Sequence, residues 1–261
     1  MNLEELKQFL QRIGAAPRKS LSQNFLIDQN IVKKILRFAD IQPGDFVLEI
    51  GPGPGALTTA LLEAGAHVLA VEKDRLFAEH LPSHPNLRII SGDILKTELG
   101  DVTGWKVVAN LPYHITAPIL EKILPLPFAS ITIMIQSEVA DRLAAKPKTP
   151  EYSSLTLFAS CHAQIVDRFT VSPSCFYPQP KVESTVIRLD PKPLPDPNPI
   201  PWIRRAFQQR RKQLASSLKS IAPDVGAALH QCSLPPFARP EELSLPEWVS
   251  FAKELSKSVG Q

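Results

Sequence analysis

Cysteine is scarce in this chain. Its 261 residues include three, Cys161, Cys175 and Cys232, too few and too widely spaced for a disulfide framework or a four-cysteine zinc site, and no Cys-x-x-Cys pair is present. No metal is therefore expected, and a reducing cytoplasm suits the chain. Long apolar runs are missing too. None approaches the roughly 18 residues of a membrane span, and residues 1–10 alternate acids with apolar side chains, unlike an export signal with its cationic start and unbroken apolar stretch. Charge of one sign is equally lacking: Lys and Arg number 29 against 26 Asp and Glu, a net charge of +3, which permits nucleic-acid binding without requiring it. What remains is ordinary globular material, 44% hydrophobic and 21% charged. Its length suits a monomer with one domain of about 100–200 residues and a smaller appendage.

Apolar spacing predicts a helix over 2–15, then the basic loop Pro17-Arg18-Lys19-Ser20, and a second helix over about 28–39. Strands are predicted at 45–50, 67–72, 87–91 and 106–109, with helical stretches at 57–63 and near 76–81 between them. This alternation implies an α/β fold whose parallel sheet is wrapped on both faces. Further on come a helix at 115–124, a strand at 131–136, a helix at 137–144, and strands at 161–169 and 181–189 expected to form an antiparallel edge. From Pro191 to Pro201 every second residue is proline, so this stretch cannot feed donors to helix or sheet and should run as a stiff spacer. We accordingly assign 1–190 to a catalytic α/β domain, 191–201 to a linker and 202–261 to a small C-terminal helical domain.

Glu49-Ile50-Gly51-Pro52-Gly53-Pro54-Gly55 lies where the first of these strands turns into a helix, the position at which open α/β sheets bind nucleotides. Gly51, Gly53 and Ala56 also satisfy the dinucleotide pattern Gly-x-Gly-x-x-Gly/Ala, so an NAD-dependent oxidoreductase has to be weighed. Pro52 and Pro54, however, have no backbone N–H, which leaves few donors for a pyrophosphate. S-adenosylmethionine, a ligand without phosphates, suits the loop better. Glycine allows close backbone approach, and Glu49 is a candidate to face the cationic amino and sulfonium groups. Glu72 ends the second strand, where a carboxylate can accept from ribose hydroxyls. Asp93, with Ile94 beside it, ends the third, placed to accept from an adenine exocyclic amine. One strand-end acid usually caps a helix; three at successive strand ends point to a ligand.

Asn110-Leu111-Pro112-Tyr113 follows the fourth strand. Adenine N6 is a poor nucleophile because its lone pair is delocalised into the ring. An amide oxygen and a backbone carbonyl that accept its two N–H bonds would favour a pyramidal nitrogen, and Asn110 with the Leu111 carbonyl can supply both. Pro112 fixes the turn, and Tyr113 offers a face for a flipped base, a contact worth about 1–3 kcal/mol. No general base is needed, since the alkylated nitrogen loses its proton to water. Alone the tetrapeptide is also an ordinary turn; its place downstream of the glycine loop and the acids gives it weight. Phe176, in the run Phe176-Tyr177-Pro178-Gln179-Pro180-Lys181-Val182-Glu183-Ser184, could complete a sandwich around the base, although a lone Phe is more often core.

These motifs, with Gln23-Asn24-Phe25-Leu26 and Ala206-Phe207-Gln208-Gln209-Arg210-Arg211-Lys212, resemble the ribosomal RNA adenine N6-dimethyltransferases over almost the whole chain. The resemblance implies a Rossmann-like class I S-adenosylmethionine-dependent methyltransferase sheet and transfer of two methyl groups to each of two adjacent adenosines near the small-subunit rRNA 3′ end. The implied partner is that RNA or an immature small subunit. By resemblance, cofactor contacts fall to Asn24, Leu26, Gly51, Glu72, Asp93 and Asn110, and the target adenine to Asn110, Leu111, Tyr113 and Phe176. The family has glycine where this chain has Ser22. Macrolide-resistance relatives, which methylate large-subunit rRNA, typically carry Ile at the position of Leu111. A DNA adenine methyltransferase would need a separate target-recognition domain, for which the C-terminal segment is short. A non-catalytic assembly factor is the remaining alternative.

A helix after the spacer would put Ile203, Phe207, Leu214, Leu218 and Ile221 on one face and leave Arg204, Arg205, Arg211 and Lys212 outside. With Arg18 and Lys19 near the expected cofactor entrance and Lys181 on the proline-rich loop, these are candidate contacts to RNA phosphates, against the ordinary alternative of a solvated basic face.

Overall fold

The computed structural model describes residues 1–18, 21–222 and 224–259; Lys19 lies outside them. The chain divides into two units, Met1–Ala140 with Ile165–Pro191, and Asp141–Gln164 with Lys192–Gln261. In the first, strands β1 (Phe25–Leu26) and β8 (Phe176–Tyr177) form a small antiparallel ribbon. The main sheet has seven strands, β2 (Phe46–Ile50), β3 (His67–Glu72), β4 (Leu87–Ser91), β5 (Lys106–Asn110), β6 (Ser130–Gln136), β7 (Ala163–Val171) and β9 (Ser184–Pro191), in the order β4-β3-β2-β5-β6-β9-β7. Pairing is parallel from β4 through β6, and β9 runs antiparallel to β6. Val47, Leu48, Val107, Val108, Ile131 and Ile133 are fully buried, as the continuous apolar runs of a parallel sheet covered on both faces require.

Helices α1 (Leu3–Arg12), α2 (Gln29–Phe38), α3 (Ala56–Glu63), α4 (Arg75–His80) and α5 (Thr116–Ile123) accompany this sheet, and α6 (Ser137–Leu143) follows β6. Val32 and Ile35 of α2 and Leu57 and Leu61 of α3 share a core with Val47, Val68 and Val108. Leu6, Phe9 and Leu10 of α1 pack with Phe25 and Phe77. Sheet order sets the site. From β2 the chain adds β3 and β4 on one side, then returns to lay β5 and β6 on the other, so that β2 and β5 are neighbours, with Val47 opposite Lys106 and Leu48 opposite Val107. Connections that leave neighbouring strands in opposite directions open a crevice at their carboxyl ends. The two loops flanking it carry Gly51–Gly55 and Asn110–Tyr113.

The second unit packs α7 (Ser154–His162), α8 (Ile200–Phe207), α9 (Leu214–Ser217), α10 (Val225–Gln231) and α11 (Leu245–Val259) around Leu157, Ile203, Leu214, Leu229, Trp248 and Phe251. It takes in residues 141–164, which the boundary expected at 190 left with the first domain, because Tyr152 and Leu157 belong to this core. Cys161, expected in a strand, ends α7: Ser153 and Thr156 form a capping box that starts a helix there, and β7 begins two residues later. Lys181–Glu183 stay out of β9. Pro199 and Pro201 of the expected spacer start α8, whose first turn needs no proline N–H.

The single basic helix expected after the spacer is broken. Beyond Phe207 the chain turns, and the Leu214 amide donates to the Ala238 carbonyl at 2.8 Å instead of continuing a helix. Ile221, expected on the apolar face, is 40% exposed. Within the turn, Arg210 points inward and donates to Glu241 and to the carbonyls of Pro150 and Thr149, whereas Arg211 and Lys212 are exposed. Arg210→Ala is therefore expected to lower stability in urea denaturation by about 1–3 kcal/mol, since it leaves Glu241 and two carbonyls unpaired, against about 0.5 kcal/mol or less for Arg211→Ala. Equal losses would refute the latch.

Candidate active site

A cleft of about 760 Å³, counted to its open mouth, lies at the carboxyl ends of the strands, where open α/β sheets bind their ligands. Its walls bring together Asn24, Gly51, Gly53, Glu72, Asp93, Ile94, Asn110, Leu111, Pro112 and Tyr113. A smaller adjoining cavity is lined by Leu26, Glu49, Gly51 and Asn110 together with Met1 and Leu6 of the N-terminal segment. Gly51, Asn110 and Phe25 line both.

The glycine loop has no amide left for an anion. Gly51 N donates to Val71 O at 2.9 Å, Gly55 N to Pro52 O at 3.0 Å and Gly53 N to Glu72 Oε2 at 2.9 Å, while Pro52 and Pro54 have none to give. Within Gly51–Gly55 a pyrophosphate would find no free donor, which counts against the dinucleotide alternative. Gly55 lines neither cavity. It stands at φ 89° as the N-cap of α3, and a Cβ there would meet Leu81 at 3.0 Å, so its part is to start the helix. Gly53 is needed twice over: its φ is +54°, and a Cβ would lie 3.2 Å from the Phe25 ring.

Three acids surround the crevice in different states. Glu72 accepts from Gly53 N and, at 2.7 Å, from Asp74 N; burial raises its pKa. Asp93 is held below the usual carboxylate range by its hydrogen bond from Lys73 at 2.9 Å. Glu49 is buried, its Oε2 has no partner among the described residues, and burial, opposed by hydrogen bonding from Thr58 and reinforced by the charge of Glu72, pushes it up to about 8.

At the other wall, the Asn110 side chain donates from Nδ2 to the Asn24 carbonyl at 3.2 Å, and its buried Oδ1 has no partner among the described residues. The Leu111 amide is fixed to Met134 O at 3.0 Å. Pro112 is extended and leads into a short 3₁₀ turn, Tyr113–Ile115. Tyr113 is half-buried, and its hydroxyl meets Ser184 Oγ at 2.6 Å; burial raises its pKa. Phe176 is not part of this wall. Its ring is 1% exposed, in the core with Leu26 and Met134, because β8 pairs Phe176 with Leu26 of β1.

The strap in front of the cleft, whose Arg18, Ser22 and Gln23 the sequence brought into view, is held by contacts that the sequence does not show. Gln23 accepts from Arg18 N at 2.8 Å and donates to buried Asp74 at 3.2 Å, and Arg18 Nη1 lies 3.5 Å from the same carboxylate. Ser22 sits at φ +50°, the left-handed region that favours glycine, the residue that the family resemblance implies there. Lys73 and His114 also line the cleft; no spacing rule singles them out. Of the other cationic candidates, Lys181 is exposed on its loop. Arg204 stacks over Phe158 at 5.4 Å, and Arg205 holds Gln208 and Ser220 at 2.8 Å each.

A glycine loop after β2, acids at the ends of β3 and β4 and a polar turn after β5, carried on a Rossmann-like sheet, make up the class I methyltransferase arrangement. Solved structures share it. The chain is similar to a dimethyladenosine transferase from Plasmodium falciparum, with TM-score 0.74 and 25% identity over 90% of this chain and 98% of that one. It is also similar to the 23S rRNA methyltransferase ErmE, at 0.66 and 27% over 89% and 100%. More narrowly, the chain belongs to the ribosomal RNA adenine dimethylase family, whose model matches residues 14–256. Curated relatives include ribosomal RNA small subunit methyltransferase A of Protochlamydia amoebophila, 46% identical over 97% of this chain and 96% of the relative. That of Chlamydia caviae is 44% identical over 98% of each.

Gly53→Ala should lower thermal stability by the equivalent of about 1–3 kcal/mol through strain and the Phe25 contact. Gly92→Ala, whose Cβ would meet nothing nearer than 3.5 Å, should cost less than about 1 kcal/mol. Calorimetry of the two variants decides whether the loop is as tight as its geometry indicates.

Proposed function

We propose that the protein binds S-adenosylmethionine in this cleft and methylates N6 of two adjacent adenosines near the 3′ end of small-subunit rRNA, yielding N6,N6-dimethyladenosine as the subunit assembles. The observation that carries the reading is Asn110. Its amide nitrogen is anchored to Asn24 and its buried oxygen has no partner among the described residues, so the wall offers an acceptor to one N–H of adenine N6 while the Leu111 carbonyl can accept the other. Tyr113 offers the ring face against which the flipped base stacks.

When bound, the cofactor supplies the electrophilic methyl group. Glu72 and Asp93 would accept from its ribose and adenine, Ile94 would give an apolar surface for the base, and Glu49, beside Gly51 and Leu26, would offer its carboxylate to the cationic end. Arg211, Lys212 and Lys181, exposed on their turns, are the residues to hold RNA phosphates. Identity of 44–46% over nearly the whole chain to relatives named ribosomal RNA small subunit methyltransferase A supports the small subunit as substrate.

Mass spectrometry of small-subunit rRNA incubated with the protein and labelled S-adenosylmethionine should detect N6,N6-dimethyladenosine; its absence overturns the reading. Asn110→Ala should cut transfer by about 100-fold or more, the scale of one lost oxyanion-type contact, with cofactor affinity changed by less than about tenfold.

Glu49 adds a pH signature. Its folded-state pKa of about 8 lies above the ordinary 4.5, so the empty protein holds a proton that the unfolded chain releases, and stability falls as pH rises through that window. A bound cation favours the charged carboxylate. Cofactor binding should therefore release a proton and tighten with pH between about 6 and 7.5, by at most about one log unit of affinity per pH unit, until α-amino groups near 8 begin to titrate. Titration calorimetry in two buffers should show this proton, and Glu49→Gln should remove it. A pH-independent affinity in the unmodified protein would exclude Glu49 from the site.

A further inference from the structure

The proline-rich run ends in a residue that the reaction as described leaves without a part. Ser184 opens β9 opposite Gln136 of β6 and is fully buried, 0% exposed. A buried hydroxyl needs a partner, and among the described residues Ser184 finds it in Tyr113 Oη, 2.6 Å away. The surroundings are fixed as well: Ser137 N donates to Glu183 O at 3.0 Å, and the hydroxyls of Ser137 and Thr185 are 2.8 Å apart. The start of β9 is thus a rigid anchor, tied to the tetrapeptide through one side-chain contact. The Tyr113 backbone is set by Pro112 and the 3₁₀ turn, but its ring still has two torsions, and the hydroxyl bond removes that freedom.

We propose that Ser184 is the positioning residue for the Tyr113 ring, and that this positioning matters most for the second methyl transfer. The inference rests on the reading of Tyr113 as the platform for the base. Unmethylated adenine offers two N6–H donors, one for Asn110 Oδ1 and one for the Leu111 carbonyl. After the first transfer a single N–H remains, so one acceptor goes unsatisfied and the added methyl must be turned aside. The orientation of the base then depends less on hydrogen bonds and more on the ring beneath it. A ring free to rock handles the first substrate and mishandles the second.

The test compares the unmodified protein, Ser184→Ala, Tyr113→Phe and the double variant on small-subunit rRNA with labelled S-adenosylmethionine. Mono- and dimethyladenosine are counted by mass spectrometry of nuclease digests, at a temperature where circular dichroism shows all four folded. The expected result is a rise in the mono- to dimethyl ratio of roughly fivefold to tenfold, the worth of one hydrogen bond, in each single variant and no further rise in the double. In Ser184→Ala the rate of the first transfer should stay within about threefold. Merely structural damage would slow both transfers together and leave the ratio alone. A Ser184→Ala ratio equal to that of the unmodified protein, or additive effects in the double variant, would overturn the role of Ser184. An unmodified protein that makes no methyladenosine would instead overturn the platform reading on which the proposal stands.

Discussion

The pairing of β2 with β5 is the constraint on which the site depends. The two strands are distant in sequence, yet their parallel register brings a loop that could hold a nucleoside and a turn that could hold a base to the same edge of one sheet. Neither loop needs to be long or mobile for this. Each is short and hydrogen-bonded to its own scaffold, so the crevice between them is a product of strand order, and its chemistry follows from which backbone groups the scaffold leaves unused.

On the β2 side almost nothing polar is left unused by the backbone. Every amide of the Gly51–Gly55 loop that exists is paired internally, which turns a motif resembling a phosphate cradle into a smooth surface rimmed by acids. The acids divide the labour by environment. Asp93, beside Lys73, is biased towards its charged form, while burial beneath the loop biases Glu49 towards its protonated form. The same three carboxylates in water would be indistinguishable.

Much of this was legible in the chain itself. Buried parallel strands read as continuous apolar runs ended by Gly51 or Asn110, so both loops of the crevice could be placed without coordinates, and the acids at strand ends followed. What could not be read depends on contacts between residues far apart. Phe176 looks like a ligand-facing aromatic in a motif, but its pairing with Leu26 turns it into core. The turn after Phe207 is set by Ala238, and the membership of residues 141–164 in the helical unit by Tyr152 and Leu157. Cys161 sits in an apolar stretch that suits helix and strand equally; the cap at Ser153 decides. Ser22 shows a position that composition flags and only a torsion angle explains.

The tether between Asn110 and the Asn24 carbonyl also sets which bases the wall can tolerate. A free asparagine can exchange the ends of its amide and greet a donor or an acceptor alike. Here the nitrogen is committed, so the pocket presents oxygen only. A six-oxo purine such as guanine or hypoxanthine would bring its own oxygen against that oxygen and against the Leu111 carbonyl, with no proton between them. On the proposed reading, discrimination against these bases would be a matter of polarity rather than of size, set by the Asn24 carbonyl that holds the amide.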